Sequence, residues 1–521
     1  MTPFKPKRKP LAGTSSSSLC GRINASLWRN VSWLTSLPPY EGVPHLRGNA
    51  LTGRIPYLLS HGPIKEVELA AKLAESSDSG MCSFWSDNQL ILLVTKPEYV
   101  YEMKMFHAKH FNPVVDNWNQ LIGKAAINDA ELGPQVRKVY QHTLADTHAV
   151  ANLKATIDEM SDKKLSVFAS DENEIKDAGN YFRSFALAVG MRLFMNVEDF
   201  AQVDCEGILT YLNNLFEGDG DNFVLKLLNL KSAQATHFFS LEQIRQQLAH
   251  IKKQRLTAAK PKSEFVQTSE KTLSKLLYQP FKDKIIGTDN LIHTLWKKGQ
   301  ESHHDASLTL ENLFPDAFFF LTGGLISSLG DAFPIIIKLI CEHPEVLRKL
   351  SDELEEMQRS NEDLSESAYL DQVIKECFRI NPPVPLIPTR QANASFDFHG
   401  VQIKAGDKVL ISPWVNHHST KTWSQPEIFD PERFAPDRIQ EIPKGAYIPF
   451  SLGPRDCIGK NYCLAVLKSF IAKLIVNYDI TLNAGTKQTL TGPSLATSSM
   501  SMRISAKNNT VKHEHFKANR I

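Results

Sequence analysis

The stretch Phe450-Ser-Leu-Gly-Pro-Arg-Asp-Cys-Ile-Gly459 constrains this chain more than any other. A single cysteine, Cys457, lies in a turn of small and rigid residues, just ahead of a helical run from Lys460 to about Val476. A thiolate at a helix N-terminus is stabilised by the free N–H groups and the positive end of the dipole. Gly453 and Gly459 let the backbone turn sharply and approach a flat ligand closely. Pro454 stiffens the turn. Arg455 can reach an anionic group on the same ligand, and Phe450 supplies an aromatic wall that keeps water from the sulfur.

Several chemistries are open to Cys457. A lone cysteine is usually a small buried hydrophobe. Zinc would want partners two to four residues away, whereas the nearest cysteine is Cys463, six residues on. A catalytic nucleophile is a third reading. A thiolate is also an axial ligand of haem iron, one that pushes electron density towards O–O cleavage. The pattern F-x-x-G-x-R-x-C-x-G, with five fixed positions, is more specific than the alternatives. It resembles the haem-binding loop of the cytochromes P450, the haem-thiolate monooxygenases. The resemblance implies haem b (iron protoporphyrin IX) bound through Cys457, with Phe450, Gly453, Arg455 and Gly459 around it.

Composition is consistent with an ordinary globular protein: 521 residues, 42% hydrophobic and 22% charged. A net charge of +2, with dispersed basic residues, makes no case for nucleic acid. The seven cysteines are odd in number and scattered, which suits a reducing compartment. The most apolar stretch, Ala317 to Gly330, is bounded by Asp316 and Asp331 and reads as a buried core helix, not a span. No transmembrane anchor is expected. Residues 1–36 form a basic, Ser-rich tail without Asp or Glu. Such a start reads as a disordered tail or an organelle transit peptide, and Ile23 to Leu37 could rest on a membrane surface. The expectation is a cytoplasmic protein, with mitochondrial or peripheral membrane placement through residues 1–37 as alternatives.

Pro63 to about Ser76 reads as a helix with Val67, Leu69, Ala70 and Leu73 on one face. Met81–Trp85 and Leu90–Thr95 read as a hairpin, and Pro97 opens another helix in the favoured first-turn position. Residues 111–300 are mostly helical in pattern. The family often has a Trp-x-x-x-Arg helix contacting a haem propionate; the nearest candidate, Val136-Arg-Lys-Val-Tyr140, matches at neither end, leaving Lys138 or His142 as substitutes. The lysine-rich residues 252–272 read as a surface connection.

Leu310 to Leu347 resembles the long helix crossing the distal face of the haem, whose signature is Ala/Gly-Gly-x-Asp/Glu-Thr. Matching Gly323-Gly324 sets Ile326 at the acid and Ser327 at the threonine. Counting back from His343-Pro344 sets Ser327 at the acid and Ser328 at the threonine. In both registers a hydroxyl survives and the carboxylate is missing. Core serines bonding back to the previous turn are the plainer reading. Asp331, four residues beyond Ser327, is the candidate proton source, with Gly324, Ser327 and Ser328 as the other distal residues. Pro334 cannot donate to the carbonyl of Gly330, so a local break is expected there.

Glu376 and Arg379 lie three apart on one helical face. Such pairs are usually surface salt bridges. With Pro431-Glu-Arg433-Phe downstream, they resemble the family's buried Glu–Arg–Arg cluster, with Arg433 as third member and a structural role. Arg390, eight residues before Phe398, stands where the family often has a propionate-binding arginine. Phe396, Phe398, Val401 and Ile403, ahead of a Lys404-Ala-Gly-Asp turn, read as strands of a small sheet.

The fold class expected is mainly α with small β-sheets, the cytochrome P450 fold as a single large domain over residues 37–505, followed by a polar tail over 506–521. The resemblance implies oxygen insertion into an apolar small molecule, with electrons from a separate donor, a ferredoxin or a flavin reductase, docking near Lys460. Because the distal acid is missing, a peroxide-using or substrate-rearranging enzyme is the alternative, and a non-catalytic haem sensor a remote one. Phe318 to Leu325, Val384 to Ile387 and residues 205–260 are expected to shape the pocket.

Overall fold

The computed structural model describes residues 39–46, 55–86, 89–113, 147–168, 173–195, 320–387, 390–483, 487–491, 494–498 and 500–507, with isolated positions at 137, 138, 140, 141, 197, 208, 209 and 297. The N-terminal tail, residues 205–260 apart from 208 and 209, the connection 252–272, Phe318, His142 and the C-terminal tail from 508 lie outside the described residues.

Helix α1 (Ile55–Glu75) begins eight residues before the expected start and carries Pro63 inside it. It leads into β1 (Met81–Ser86) and β2 (Gln89–Val94), an antiparallel hairpin in register from Met81–Val94 to Ser86–Gln89. Next come α2 (Pro97–His110), with proline in its first turn, and β3 (Phe111–Pro113). After them come α3 (Thr147–Leu165), β4 (Asn173–Ile175) and α4 (Ala178–Met195).

A distal helix follows in two windings. Phe320–Leu329 is π-helical, and α5 (Gly330–Glu342) continues it in α geometry. The sequence reading of a break at Gly330–Pro334 is corrected here: the chain stays helical through Pro334, and the irregularity lies in the turns before it. A proline inside a helix costs about 3 kcal/mol, but Phe333, Ile335, Ile336 and Ile337 on either side have no exposed surface. Burial of each is worth roughly 1.5–3 kcal/mol, so core packing outweighs the missing N–H. The stretch Gly323–Glu342 is long and apolar enough to cross a membrane, yet 78% of it is buried inside the fold, as suits a core helix.

The remaining elements are α6 (Pro344–Arg359), α7 (Ala368–Ile380), β5 (Arg390–Ala392), β6 (Phe396–Phe398), β7 (Val401–Ile403), β8 (Lys408–Ile411) and α8 (Pro413–His418). Beyond the cysteine loop lie α9 (Lys460–Asn477), β9 (Tyr478–Leu482), β10 (Lys487–Thr491), β11 (Ser494–Ser498) and β12 (Met502–Ala506). The largest sheet runs β1-β2-β8-β5-β3, with β2 and β8 parallel; a second runs β4-β12-β9. The expected mainly helical architecture with small sheets is the one observed.

Four phenylalanines join the helices that frame the site. Phe182 and Phe185 of α4, Phe333 of α5 and Phe470 of α9 have ring centroids 4.8–5.7 Å apart. The helix that follows Cys457 is thereby packed against the distal helix through one aromatic cluster, each pair adding about 0.5–1.5 kcal/mol beyond area burial.

Candidate functional site

The cysteine loop is held by its own backbone. The Cys457 amide donates to the Phe450 carbonyl at 2.8 Å and the Asp456 amide to Gly453 at 3.0 Å. Gly453 has φ +80°, and a Cβ there would lie 3.0–3.3 Å from Lys104 of α2, so geometry and space both require glycine. Phe450 meets Phe378 of α7 edge-on at 5.8 Å. The Cys463 amide donates to the Gly459 carbonyl at 2.8 Å and opens α9.

Cys457 keeps accessible surface, yet protein surrounds it closely enough that burial pushes its thiol up, against the opposing pull of the Gly459 amide and of Arg137. Burial thus opposes the stabilising effect of the helix N-terminus at this sulfur. A coordinated metal ion would make the thiolate, because coordination deprotonates a thiol.

Three arginines gather at this loop. Arg390, on β5, is 4% exposed; its Nη2 donates to Ser451 Oγ at 3.1 Å, while its Nε and Nη1 are buried without a hydrogen-bond partner. Burial, and then the charge of Arg455, lower its pKa to about 10. Arg455 is lowered by burial and by Arg137. The Arg137 guanidinium donates to the Asp456 carbonyl and, at 2.9 Å, to its carboxylate. A buried guanidinium with unmet N–H groups, next to a second cation, is costly unless an anion joins it. A cysteine sulfur beside such a cationic cradle fits a haem: a soft axial donor, and a place for its two carboxylates.

Arg137 was missed in the sequence. Lys138 is exposed. With the arginine end of the Trp-x-x-x-Arg pattern set on Arg137, the aromatic end falls on Gly133, so only the arginine itself was there to be read.

On the distal helix, Gly324 is exposed, with nothing within 4 Å of where a Cβ would stand. Both serine hydroxyls turn back to the Gly323 carbonyl, Ser327 at 3.0 Å and Ser328 at 2.7 Å. Ser328 is half-buried and Ser327 buried. Asp331 is placed otherwise than expected. Its carboxylate has no exposed surface and accepts from Arg183 Nε of α4 at 2.8 Å. At neighbouring Gly330 a Cβ would lie 2.8 Å from Arg183 Cα, so α4 is packed directly on this face. Asp331 is thus an ion-pair partner in the helix interface.

Glu376, Arg379 and Arg433 are brought together. Arg379 Nε and Nη2 grip the two Glu376 oxygens at 2.7 and 2.8 Å, and both side chains are completely buried. Arg379 also donates to the carbonyls of His417, Pro426 and Ile428. Glu376 Oε1 accepts the Asp430 amide at 2.9 Å and lies 3.5 Å from Arg433 Nε. The cluster ties α7 to the Pro431–Phe434 turn.

A model of the family Cytochrome P450 matches residues 59–505. Similar proteins include Cytochrome P450 Tp4149 of Tanacetum parthenium, 31% identical over 175 residues, covering 32% of this chain and 35% of that protein. Cytochrome P450 4V2 of Rattus norvegicus is 37% identical over 151 residues, covering 28% of this chain and 29% of its own. The chain thus aligns with about a third of the length of the curated relatives it matches. The solved structure of retinoic acid bound cyanobacterial CYP120A1 superposes with a TM-score of 0.69 at 19% identity, over 89% of this chain and 99% of that one.

Proposed function

This chain belongs to the cytochrome P450 family, and from that premise we propose that it is a haem-thiolate monooxygenase acting on an apolar small molecule, with electrons from a separate donor protein. The juxtaposition of Cys457 with the buried, partly unsatisfied Arg390 and with Arg455 carries the reading. Cys457 would hold the haem iron through its sulfur. Arg390 and Arg455, with Arg137, would hold the haem carboxylates, and Gly324 would leave room beside the distal helix. A bound haem would supply the iron chemistry that activates oxygen.

The protein's own residues would do the rest. Phe450, packed on Phe378, would supply an aromatic wall at the start of the loop. The Glu376 cluster holds the chain behind the loop. Half-buried Val384, Leu386 and Ile387, just ahead of Arg390, favour an apolar substrate. Ser327 and Ser328, three and four residues beyond Gly324, carry hydroxyls that can pass a proton on but not originate it at neutral pH.

One observation favours a second reading, a peroxide-using or substrate-rearranging enzyme. Among the described residues of the distal helix, Asp331 is the sole carboxylate before Glu342, and it is paired with Arg183. The reduced, carbon monoxide-treated protein should show the strongly red-shifted Soret band of a thiolate-ligated haem, lost in Cys457→Ala and kept in Cys463→Ala. A band that survives Cys457→Ala overturns the haem-thiolate reading. Product formed with steady use of reductant supports the monooxygenase, and product formed with peroxide alone supports the second reading.

A further inference from the structure

We propose that His417 is a positioning residue for the cysteine loop, its neutral imidazole accepting the buried Ile448 amide and so fixing the backbone that enters Phe450–Cys457. The inference rests on the haem-thiolate reading only for what the loop holds; its geometry stands apart from it.

His417 lies in α8 and has no exposed surface. Its Nδ1 is 3.1 Å from the Phe378 carbonyl oxygen, and its Nε2 is 2.9 Å from the Ile448 amide nitrogen. A carbonyl only accepts and an amide N–H only donates. The proton is therefore on Nδ1, Nε2 is the acceptor, and the ring is neutral. Around it stand the Arg379 guanidinium, which donates to the His417 carbonyl at 3.0 Å, the imidazole of His418, and the Tyr447 ring stacked at 5.2 Å. Burial, then the charges of His418 and Arg379, keep the imidazole well below its usual range.

The need for this imidazole is written at both of its ends. In α7 the carbonyl of Phe378 would ordinarily accept from residue 382, but Pro382 has no N–H. The Nδ1–H of His417 supplies that donor from another element. At the other end, the Ile448 amide belongs to a buried residue, and an amide left unmet there carries its full desolvation penalty. From Ile448 the connections run directly into the loop. The Ile448 carbonyl accepts the Ser451 amide at 3.0 Å, Ser451 Oγ accepts from Arg390, and the Phe450 carbonyl accepts the Cys457 amide. Phe378 touches the loop a second time, through its ring on Phe450. One α7 residue thus fixes the loop entry at two points, by packing and through the imidazole.

Two half-mimics separate the bonds. His417→Gln keeps an acceptor at the Nε2 position for Ile448 and gives up the donor at the Nδ1 position. His417→Asn keeps the donor to Phe378 and gives up the acceptor. In the purified holoprotein, His417→Gln should keep the red-shifted carbon monoxide band and near wild-type haem retention. His417→Asn should shift that band and lose haem to apomyoglobin about tenfold faster, as expected for a buried amide left without a partner. Hydrogen exchange across residues 446–452 should quicken by about tenfold in His417→Asn and change little in His417→Gln. Variants that behave alike, or in the reverse order, overturn the inference. A wild-type protein lacking the thiolate band defeats the haem-thiolate reading, while the exchange measurement still decides the role of His417.

Discussion

Arg183 donates through Nε to Asp331 at 2.8 Å, across the interface of α4 and the distal helix, and the carboxylate has no exposed surface. The pair lies one turn beyond the serines, where the helix passes from π to α winding. Its effect is to anchor that junction to α4, with Gly330 allowing the close approach.

Asp331→Asn should therefore act on stability. It breaks the buried Arg183–Asp331 ion pair by removing the charge of one partner, a loss of about 3 kcal/mol. Reductant-driven and peroxide-driven turnover should fall together, in proportion to folded protein. A selective loss of the reductant-driven rate at unchanged melting temperature would return Asp331 to proton delivery.

Glu376→Ala should be more damaging, because it strands Arg379 in a fully buried site and takes a partner from Arg433. Breaking a buried pair by deleting one partner costs about 3–5 kcal/mol. Haem content and thermal midpoint should both drop sharply. A variant with wild-type haem content and midpoint would show that the cluster does not support the loop.

Arg390→Met separates binding from folding. Its guanidinium is buried with two unmet nitrogens, so removing it should stabilise the haem-free protein or leave it unchanged. Haem retention should fall at the same time, since the cradle loses a cation. Equal haem affinity in Arg390→Met and wild type would remove Arg390 from the site.

The acid limb of stability should depend on Asp371, which bridges α7 and α9. Lys468 approaches one oxygen at 2.7 Å and Lys375 the other at 2.5 Å. Burial pushes the Asp371 carboxyl up, but the hydrogen bonds and charges of Lys375 and Lys468 outweigh it and hold the pKa below its ordinary value. For an acid lowered in the folded state, the stabilisation is complete above the unfolded pKa of about 3.9 and is lost as pH falls through the folded value. Denaturant unfolding from about pH 6 down to about pH 3 should show this contribution decline in wild type and be absent in Asp371→Asn. Identical pH dependence in the two proteins would contradict it.

The cysteine loop was legible because its requirements are local. A positive φ at Gly453, an amide closing back on Phe450 and a helix opening at Gly459 all concern contiguous residues. The i,i+3 spacing of Glu376 and Arg379 was equally local, and the turn carrying Arg433 has its own short signature. Helices and hairpins followed from periodicity and from prolines at helix starts, although Pro63 and Pro334 lie inside helices, Pro334 because burial of its neighbours outweighs its cost.

Tertiary structure decided the partners of the charges and the winding of the distal helix. Asp331 meets a residue 148 positions away, and no spacing rule in the distal helix points to α4. Arg137 reaches Asp456 across 319 positions, and the tautomer of His417 depends on backbone groups from two other segments. The sequence by itself determined where the backbone turns and which faces are apolar, since those follow from the steric limits of each residue and its neighbours. Which carboxylate is neutralised, and which guanidinium is left unmet, depends on how separate elements pack, because an ion's free energy is set by what surrounds it in space.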